Sequence, residues 1–376
     1  MFYSSFASES VCSGHPDKIC DQISDAILDQ ALKIDNHSRV AIETMVTTNR
    51  VVIAGEVTCP KKINYEQIAH DVIKNLGYID DLYNFSDKST IDVFVHQQSP
   101  DIAQGVNNGG AGDQGMMFGY AVNETPELMP LPIMLAHALV AQTDALKKTQ
   151  LKYLRPDGKA EVSIKYEKSI PKEIETIVLA VPHDPKISKA QVKKDLYEFC
   201  VLPILEKYKQ KTISLKNLIL NGTGRWEIGG PDSDTGVTGR KIIVDSYGGM
   251  ARVGGGCFSG KDPTKVDRSG AYAARYVAKN IVAAKLAERC EIQIVYVIGY
   301  KEPIVKAVET FGTKKKNKKI IADFAWNLLD LSVEGIVNSL KLRQPIYQQT
   351  ARYGHFGNPQ YPWEKTLISS HLQCGI

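Results

Sequence analysis

The sequence predicts three α+β domains of similar plan, related by pseudo-threefold repetition, each a mixed or antiparallel sheet with helices on one face. Two observations point there. The order helix, strand, strand, helix recurs three times along the 376 residues, with a further strand in the first two copies. Most strands are neighbours in sequence, which favours antiparallel pairing and leaves the intervening helices to cover one face. A doubly wound parallel sheet fits less well for the same reason.

In the first third, Ile19, Ile23, Ala26, Ile27 and Ala31 recur at helical spacing over 16–33, and Pro16 suits a first turn. Two β-branched runs, 39–47 and 51–58, are split by Thr48-Asn49, a two-residue turn. That turn places Glu43 opposite Ala54 and makes Glu56 its diagonal neighbour, about 7–8 Å away on the same face. A helix near 64–76 and a strand over 91–97 follow. The second third reads as a helix over 130–149, strands near 161–167 and 175–182, a helix over 188–207 and a strand near 213–220. The last third reads as a strand-like run over 241–247, a helix near 267–288, strands near 291–299 and 304–310, and helical material from 320 onward.

Composition narrows the class. Hydrophobic residues are 43% of the chain, enough for packed cores and too many for extensive disorder. No apolar run reaches membrane-spanning length, and the first residues carry no secretory pattern. Lys plus Arg total 46 against 42 Asp plus Glu, a balance too mild to call for nucleic acid. Seven cysteines, an odd number with no CxxC pair, point to a reducing cytoplasm instead of a disulfide framework.

Three Gly-rich stretches, 105–119, 222–236 and 248–260, carry too much Asp, Arg and Lys to be plain linkers. In GGGCFSGKDPTKVDRSG (254–270), Gly255 to Lys261 fits the start of a phosphate-binding P-loop. The fit then fails: Asp262 replaces the magnesium-binding hydroxyl and Pro263 delays the helix. Lys261 and Lys265 still offer cations, and Asp267 a metal ligand. GAGDQGMMFGY (110–120) contains GxGxxG with no strand leading into it, so it reads as a loop for close backbone approach. In GHPDK (14–18), His15 and Asp17 flank the start of a helix, where anions are favoured. Asp21, Asp25 and Asp29 recur every four residues and read as a solvated face. Arg225-Trp226 offers a base-stacking surface, with a core tryptophan as the bland alternative. Arg240 and Lys241 add cations beside the 254 loop. KKKNKK (314–319) reads as a solvated loop. From the residues alone, a phosphotransferase with a modified P-loop and a basic RNA-binding protein stay open.

Taken in order, GHPDK, QSPDIAQG (98–105), GAGDQGMMFGY, TGRKIIVDSYGG (238–249), GGGCFSGKD and YGHFG (353–357) make the chain resemble the S-adenosylmethionine synthetase (methionine adenosyltransferase) family, in its bacterial form, from about Ser8 through Glu364. The resemblance implies three intertwined βα domains, at 1–98, 111–226 and 228–367, with 99–110 a mobile loop over the site. It implies sulfur attack by L-methionine on C5′ of ATP, followed by hydrolysis of triphosphate to phosphate and diphosphate. His15, Arg240, Lys261 and Lys265 become the catalytic set. ATP would also meet Asp157, Lys159, Arg225, Trp226, Asp234, Lys241 and Cys257. Methionine would meet Glu56, Gln98, Asp113, Asp234, Lys265 and Ile298. Two magnesium ions per site would fall to Asp17 and Asp267, and one potassium ion per subunit to Glu43. A homodimer with interfacial sites, paired into a tetramer, is implied, with neither nucleic acid nor membrane as partner. The chain departs from the family pattern at Cys12-Ser13, at Trp226 in place of a usual Phe, and in a shorter 99–110 connection.

Overall fold

A computed structural model describes residues 4–97 and 109–367. The chain runs β1 (Ser5–Val11), α1 (Pro16–Ile34), β2 (Arg39–Thr47), β3 (Arg50–Thr58), α2 (Tyr65–Leu76), β4 (Thr90–His96), β5 (Gly115–Val122), α3 (Leu131–Lys148), β6 (Lys159–Glu167), β7 (Ile170–Ala180), α4 (Lys189–Leu196), α5 (Leu202–Lys207), β8 (Leu218–Leu220), β9 (Gly236–Val237), α6 (Ile242–Asp245), α7 (Val266–Ala283), β10 (Arg289–Tyr296), β11 (Val305–Glu309), α8 (Lys318–Trp326) and α9 (Val333–Ser339). The expected mixed sheets are present, in the orders β4-β3-β2-β9, β1-β6-β7-β8 and β11-β10-β5.

Each sheet takes a strand from a distant stretch of sequence. β1 pairs with β6, β5 with β10, and β9 with β2, all antiparallel. The hairpin β2–β3 turns at Thr48-Asn49, with Asn49 left-handed at φ 49 as such tight turns require. Its register sets Glu43 opposite Ala54 and Glu56 opposite Ala41, so both carboxylates share the face away from α1. Two pairs depart from the antiparallel expectation: β3–β4 and β7–β8 are parallel, because helices lie between them in the chain and carry it back to the same end.

Other expectations need correction. Within 241–247 the expected strand is absent and Ile242–Asp245 form the short helix α6, which turns Asp245 inward to meet buried Lys18 at 2.5 Å. The 188–207 helix is interrupted by a π turn over Tyr197–Val201 ahead of Pro203, which supplies no backbone donor. Much of GAGDQGMMFGY is not a loop; Gly115–Val122 is strand β5. Against it lies α7, whose inner face is built of small residues. A Cβ at Gly119 would sit 2.0 Å from the Ala274 carbonyl carbon, so glycine is required there by close approach alone.

Helix α1 is the centrepiece. Ile19, Cys20, Ile23 and Ile27 are buried on it, each contributing about 1.5–3 kcal/mol at most. The aspartates read as a solvated face are buried as well. Asp21 and Asp25 are 0% exposed and Asp29 is 7% exposed. Each accepts backbone N–H bonds from another segment: Asp21 from Gly239, Asp25 from Gly260, and Asp29 from Tyr347 and Gln348. Four-residue spacing does mark one helix face, but protein covers that face.

Candidate functional site

The edge of β2 opposite β3 organises the site. At one end Thr238 N–H donates to the Thr44 carbonyl, continuing the β9 pairing, and this docks the turn that carries Arg240 and Lys241. Further along, Ile42 N–H donates to the Gly260 carbonyl and Asp262 N–H to the Val40 carbonyl, each near 3 Å, with Lys261 bridged to Ala41 between them. Gly239 and Gly260 hold φ of 77 and 81, so Arg240-Lys241 and Lys261 each follow a left-handed turn that favours glycine. The two turns touch, since a Cβ on Gly239 would meet Cys257 Sγ at 2.7 Å.

At the start of α1, His15 takes the N-cap position and its Nδ1 accepts the Asp17 N–H at 3.2 Å. Burial first, then the charges of Lys241 and Lys159, push its pKa down to about 3. The ring is therefore neutral near pH 7, and with Nδ1 accepting, Nε2 carries the proton and is the donor. Asp17 accepts from Val237 N–H at 2.9 Å through Oδ1 and from Lys241 through Oδ2. Burial works to raise the Asp17 carboxyl, yet it stays below the usual range, because the bonds from Lys241 and Val237 outweigh burial.

A second ion pair joins Lys261 Nζ to Asp267 Oδ2 at 2.6 Å, beneath Gly256. Burial works against the Lys261 charge, but Cys257, Asp267 and Glu43 together raise its pKa. Lys265 turns to Asp262 at 2.6 Å, which also anchors Thr264 and Val40. His15, Asp17, Lys159 and Lys241 thus interact as one group. Lys261, Asp267, Cys257 and Glu43 form a second, and the two glycine turns join them.

The remaining candidates lie further out. Asp157 is buried, with its oxygens accepting Gly158 and Gly230 N–H at 2.7 and 2.8 Å, so it clips the 222–231 loop. In that loop Arg225 pairs with Glu227, and Trp226 donates Nε1–H to the Ile228 carbonyl. The indole is half-buried and its sequence-level alternative, a core position, does not hold. Asp234 and Arg240 are exposed, Arg240 donating to the Thr235 carbonyl. Glu56 pairs with His96 at 3.3 Å. Asp113 and Ile298 are exposed, on two segments that backbone bonds of Ala111 with Gly299 and Tyr300 join. Gln98 and most of the 99–110 loop lie outside the described residues. What sequence reading missed is the layer beneath: Asp21, Asp25, Lys18, Asp245 and Asp262. For Asp21 and Asp25 the only signal was periodicity, and periodicity does not reveal what covers a helix face. Lys18 reaches Asp245, and Asp262 reaches Val40, only through pairings distant in sequence.

As to metals, the described residues contain no group of three or more His, Cys, Asp or Glu able to cage an ion. Single carboxylates such as Asp17 and Asp267 match magnesium that takes one or two protein oxygens and completes its shell with phosphate and water.

Burial of neutral histidines sets an acid limit on stability. His137, with Nδ1 2.8 Å from Ser10 Oγ, has its pKa lowered from 6.5 to about 3 by burial, with the Lys18 charge adding. Between those values the unfolded chain binds the extra proton, so stability falls as pH drops. His15 and His355 act in the same sense. Asp29 and Asp245, raised by burial to about 6 and about 7, act in the opposite sense. His137→Gln keeps a partner for Ser10 and removes one titration. From pH 7 to pH 5 the unsubstituted protein loses about 2 kcal/mol more than the variant. Denaturant unfolding at both pH values checks this, and parallel profiles would refute it.

Comparison with known proteins matches the three parts of the chain separately. Residues 3–100, 108–226 and 228–365 match the N-terminal, central and C-terminal domains of S-adenosylmethionine synthetase. The S-adenosylmethionine synthase of Crocosphaera subtropica (strain ATCC 51142 / BH68) is 50% identical over 410 residues, covering 99% of each chain.

Proposed function

The chain belongs to the S-adenosylmethionine synthetase family, and from that premise we propose that the two cationic turns on the β2 edge hold the triphosphate of ATP. The protein is a transferase that makes S-adenosylmethionine from ATP and L-methionine. The methionine sulfur forms a bond to C5′, the C5′–O bond breaks, and triphosphate leaves. Water then cleaves the triphosphate to phosphate and diphosphate.

A thioether is neutral and needs no base, whereas the leaving group gains charge as the bond breaks. Fixed donors around the triphosphate therefore carry the rate. The observation that supports this is the pairing of Lys241 with Asp17 and of Lys261 with Asp267 at touching turns. Neutral His15 offers Nε2–H to the oxygen leaving C5′ without adding a proton to balance. Lys159, Lys241 and Lys265 add positive charge around the phosphates. Asp17 and Asp267 would hold the two magnesium ions, which neutralise phosphate charge when bound. Glu43 is the candidate for potassium. Trp226 and Arg225 would stack on and flank the adenine, with Asp157 fixing their loop. Asp113, Asp234, Glu56 and Ile298 would orient methionine.

The exposed sheet faces support a homodimer with sites between subunits. Met45 and Phe94 lie open on the β2–β3–β4 face that carries Glu43 and Glu56, and Met116 on β5 and Ile298 just beyond β10 are open too, at 38–65% exposure. Among the described residues no helix is long and apolar enough to cross a membrane. A cytoplasmic location and a tetramer complete the reading.

Incubation with ATP, methionine and magnesium tests it: S-adenosylmethionine, phosphate and diphosphate appear without ADP. Appearance of ADP would mean a kinase. Within the reaction, Arg240 is exposed at the mouth of its turn and free to follow the phosphates. Arg240→Leu therefore impairs triphosphate hydrolysis more than S-adenosylmethionine formation when both are followed in one turnover. Equal losses would assign Arg240 to general binding.

A further inference from the structure

We propose that Asp21 and Asp25 of α1 are positioning residues that set the spacing of the two cationic turns and hold them over His15 and Asp17. The inference rests on the reading of Arg240, Lys241 and Lys261 as triphosphate cations, and goes beyond it by naming what places them.

The clips fall at particular points. Asp21 Oδ1 accepts the N–H of Gly239, the residue before Arg240-Lys241, at 2.8 Å. Asp25 Oδ1 accepts the N–H of Gly260, the residue before Lys261, at 2.9 Å. Both glycines have left-handed φ, so each clip holds a turn at the residue where its direction changes. Successive aspartates four residues apart advance about 6 Å along the helix axis. One rigid helix therefore carries His15 and Asp17 at its start and fixes both turns behind them.

These carboxylates are not free ligands. Asp21 is bound by Lys18 at 2.8 Å, and Lys18 also binds Asp245 at 2.5 Å. Asp25 takes a two-pronged bond from Arg268 at 2.7 and 2.8 Å, and Arg268 also reaches the Lys261 carbonyl at 3.2 Å. All five residues are at most 2% exposed. Asp25 is held by its own buried cation and Asp21 shares buried Lys18 with Asp245, so both aspartates stay in place as N–H acceptors when substrate phosphates arrive. Asp29 belongs to the same ladder but holds Tyr347 and Gln348, away from the cationic turns. It serves as an internal control.

The test compares Asp21→Asn, Asp29→Asn and Lys241→Met with the unsubstituted enzyme, each first checked for cooperative unfolding. Asp21→Asn keeps the side chain's size but weakens the Gly239 clip. A displacement near 1 Å at reacting groups costs about 100-fold. The expected result is a kcat lowered about 10–100-fold in Asp21→Asn with methionine KM unchanged, and a parallel loss of hydrolysis of added tripolyphosphate. Asp29→Asn loses stability and keeps its kcat. If Asp21→Asn does not fold, the charge-balanced pair Lys18→Gln/Asp21→Asn replaces it. Hydrogen exchange at the Gly239 and Gly260 amides of the unsubstituted enzyme gives a second reading, with slow exchange expected. Unchanged kcat in folded Asp21→Asn, equal losses in Asp21→Asn and Asp29→Asn, or fast exchange at both glycines would overturn the proposal. An unimpaired Lys241→Met would instead overturn the reading of the cations on which it rests.

Discussion

Replacing Lys261 with Met lowers the single-turnover rate of S-adenosylmethionine formation about 10²–10³-fold, as the loss of one preorganised charge contact at an oxyanion does. Methionine KM moves much less, because the side chain faces the leaving group and not the thioether. The geometry makes the substitution interpretable. Lys261 is held by backbone bonds from β2 on both sides of it, so the turn does not depend on its side chain. Methionine fills nearly the same volume, and Asp267, 18% exposed at its side chain, stays within reach of water when its partner is removed. A stability loss therefore does not masquerade as a rate loss. Rapid-quench measurement of bound product decides the matter, and an unchanged first-turnover rate would remove Lys261 from the catalytic set.

The sequence revealed the outer surface of this site better than its foundations. His15, Asp17, Lys241, Lys261 and Asp267 stand in motifs whose glycines and prolines mark turns and a helix start, signals that survive in one dimension. The hairpin over Thr48-Asn49 was legible for the same reason, down to the shared face of Glu43 and Glu56. Strand β1 was not. Its inward positions include Ser8 and Ser10, which satisfy the Gly248 carbonyl and His137 and leave no apolar alternation to detect. Strand β5 hid behind a glycine pattern, though its Gly119 is there to admit α7. The exchange of β1, β5 and β9 between sheets depends on pairings more than 100 residues apart, and no local window contains them. Asp21, Asp25 and Asp29 were misjudged because regular spacing is identical for a wet face and for one covered by polar partners. The fold's second layer consists of acceptors for distant backbone donors, and their meaning lies in those donors.

The largest stability effect expected of a single substitution away from the site falls on Arg275. This residue of α7 is fully buried and spends all of its donors. Nε and Nη2 bind the two oxygens of Glu364 at 2.8 and 2.9 Å. Nη1 reaches the carbonyls of Tyr120 and Leu128, and Nη2 that of Glu127. One guanidinium thereby joins the end of β5, the turn that follows it and the segment ending the C-terminal unit. Burial works against its charge, but Glu364 more than offsets this and raises its pKa. Arg275→Met preserves length and apolar volume while leaving Glu364 buried with Lys279 as its remaining cation, 2.6 Å away. Breaking a buried pair from one side costs about 3–5 kcal/mol. Arg50→Met provides the contrast. Arg50 bonds Asp92 at 2.7 Å, but their side chains are 51% and 34% exposed, and such pairs contribute about 0–1 kcal/mol. Denaturant unfolding at fixed protein concentration should separate the two variants by most of that difference. Arg275→Met/Glu364→Gln/Lys279→Met should recover part of the loss, since it removes every charge of the cluster and strands none. Equal midpoints for Arg275→Met and Arg50→Met, or no recovery in the triple variant, would show that this clamp is not held by charge.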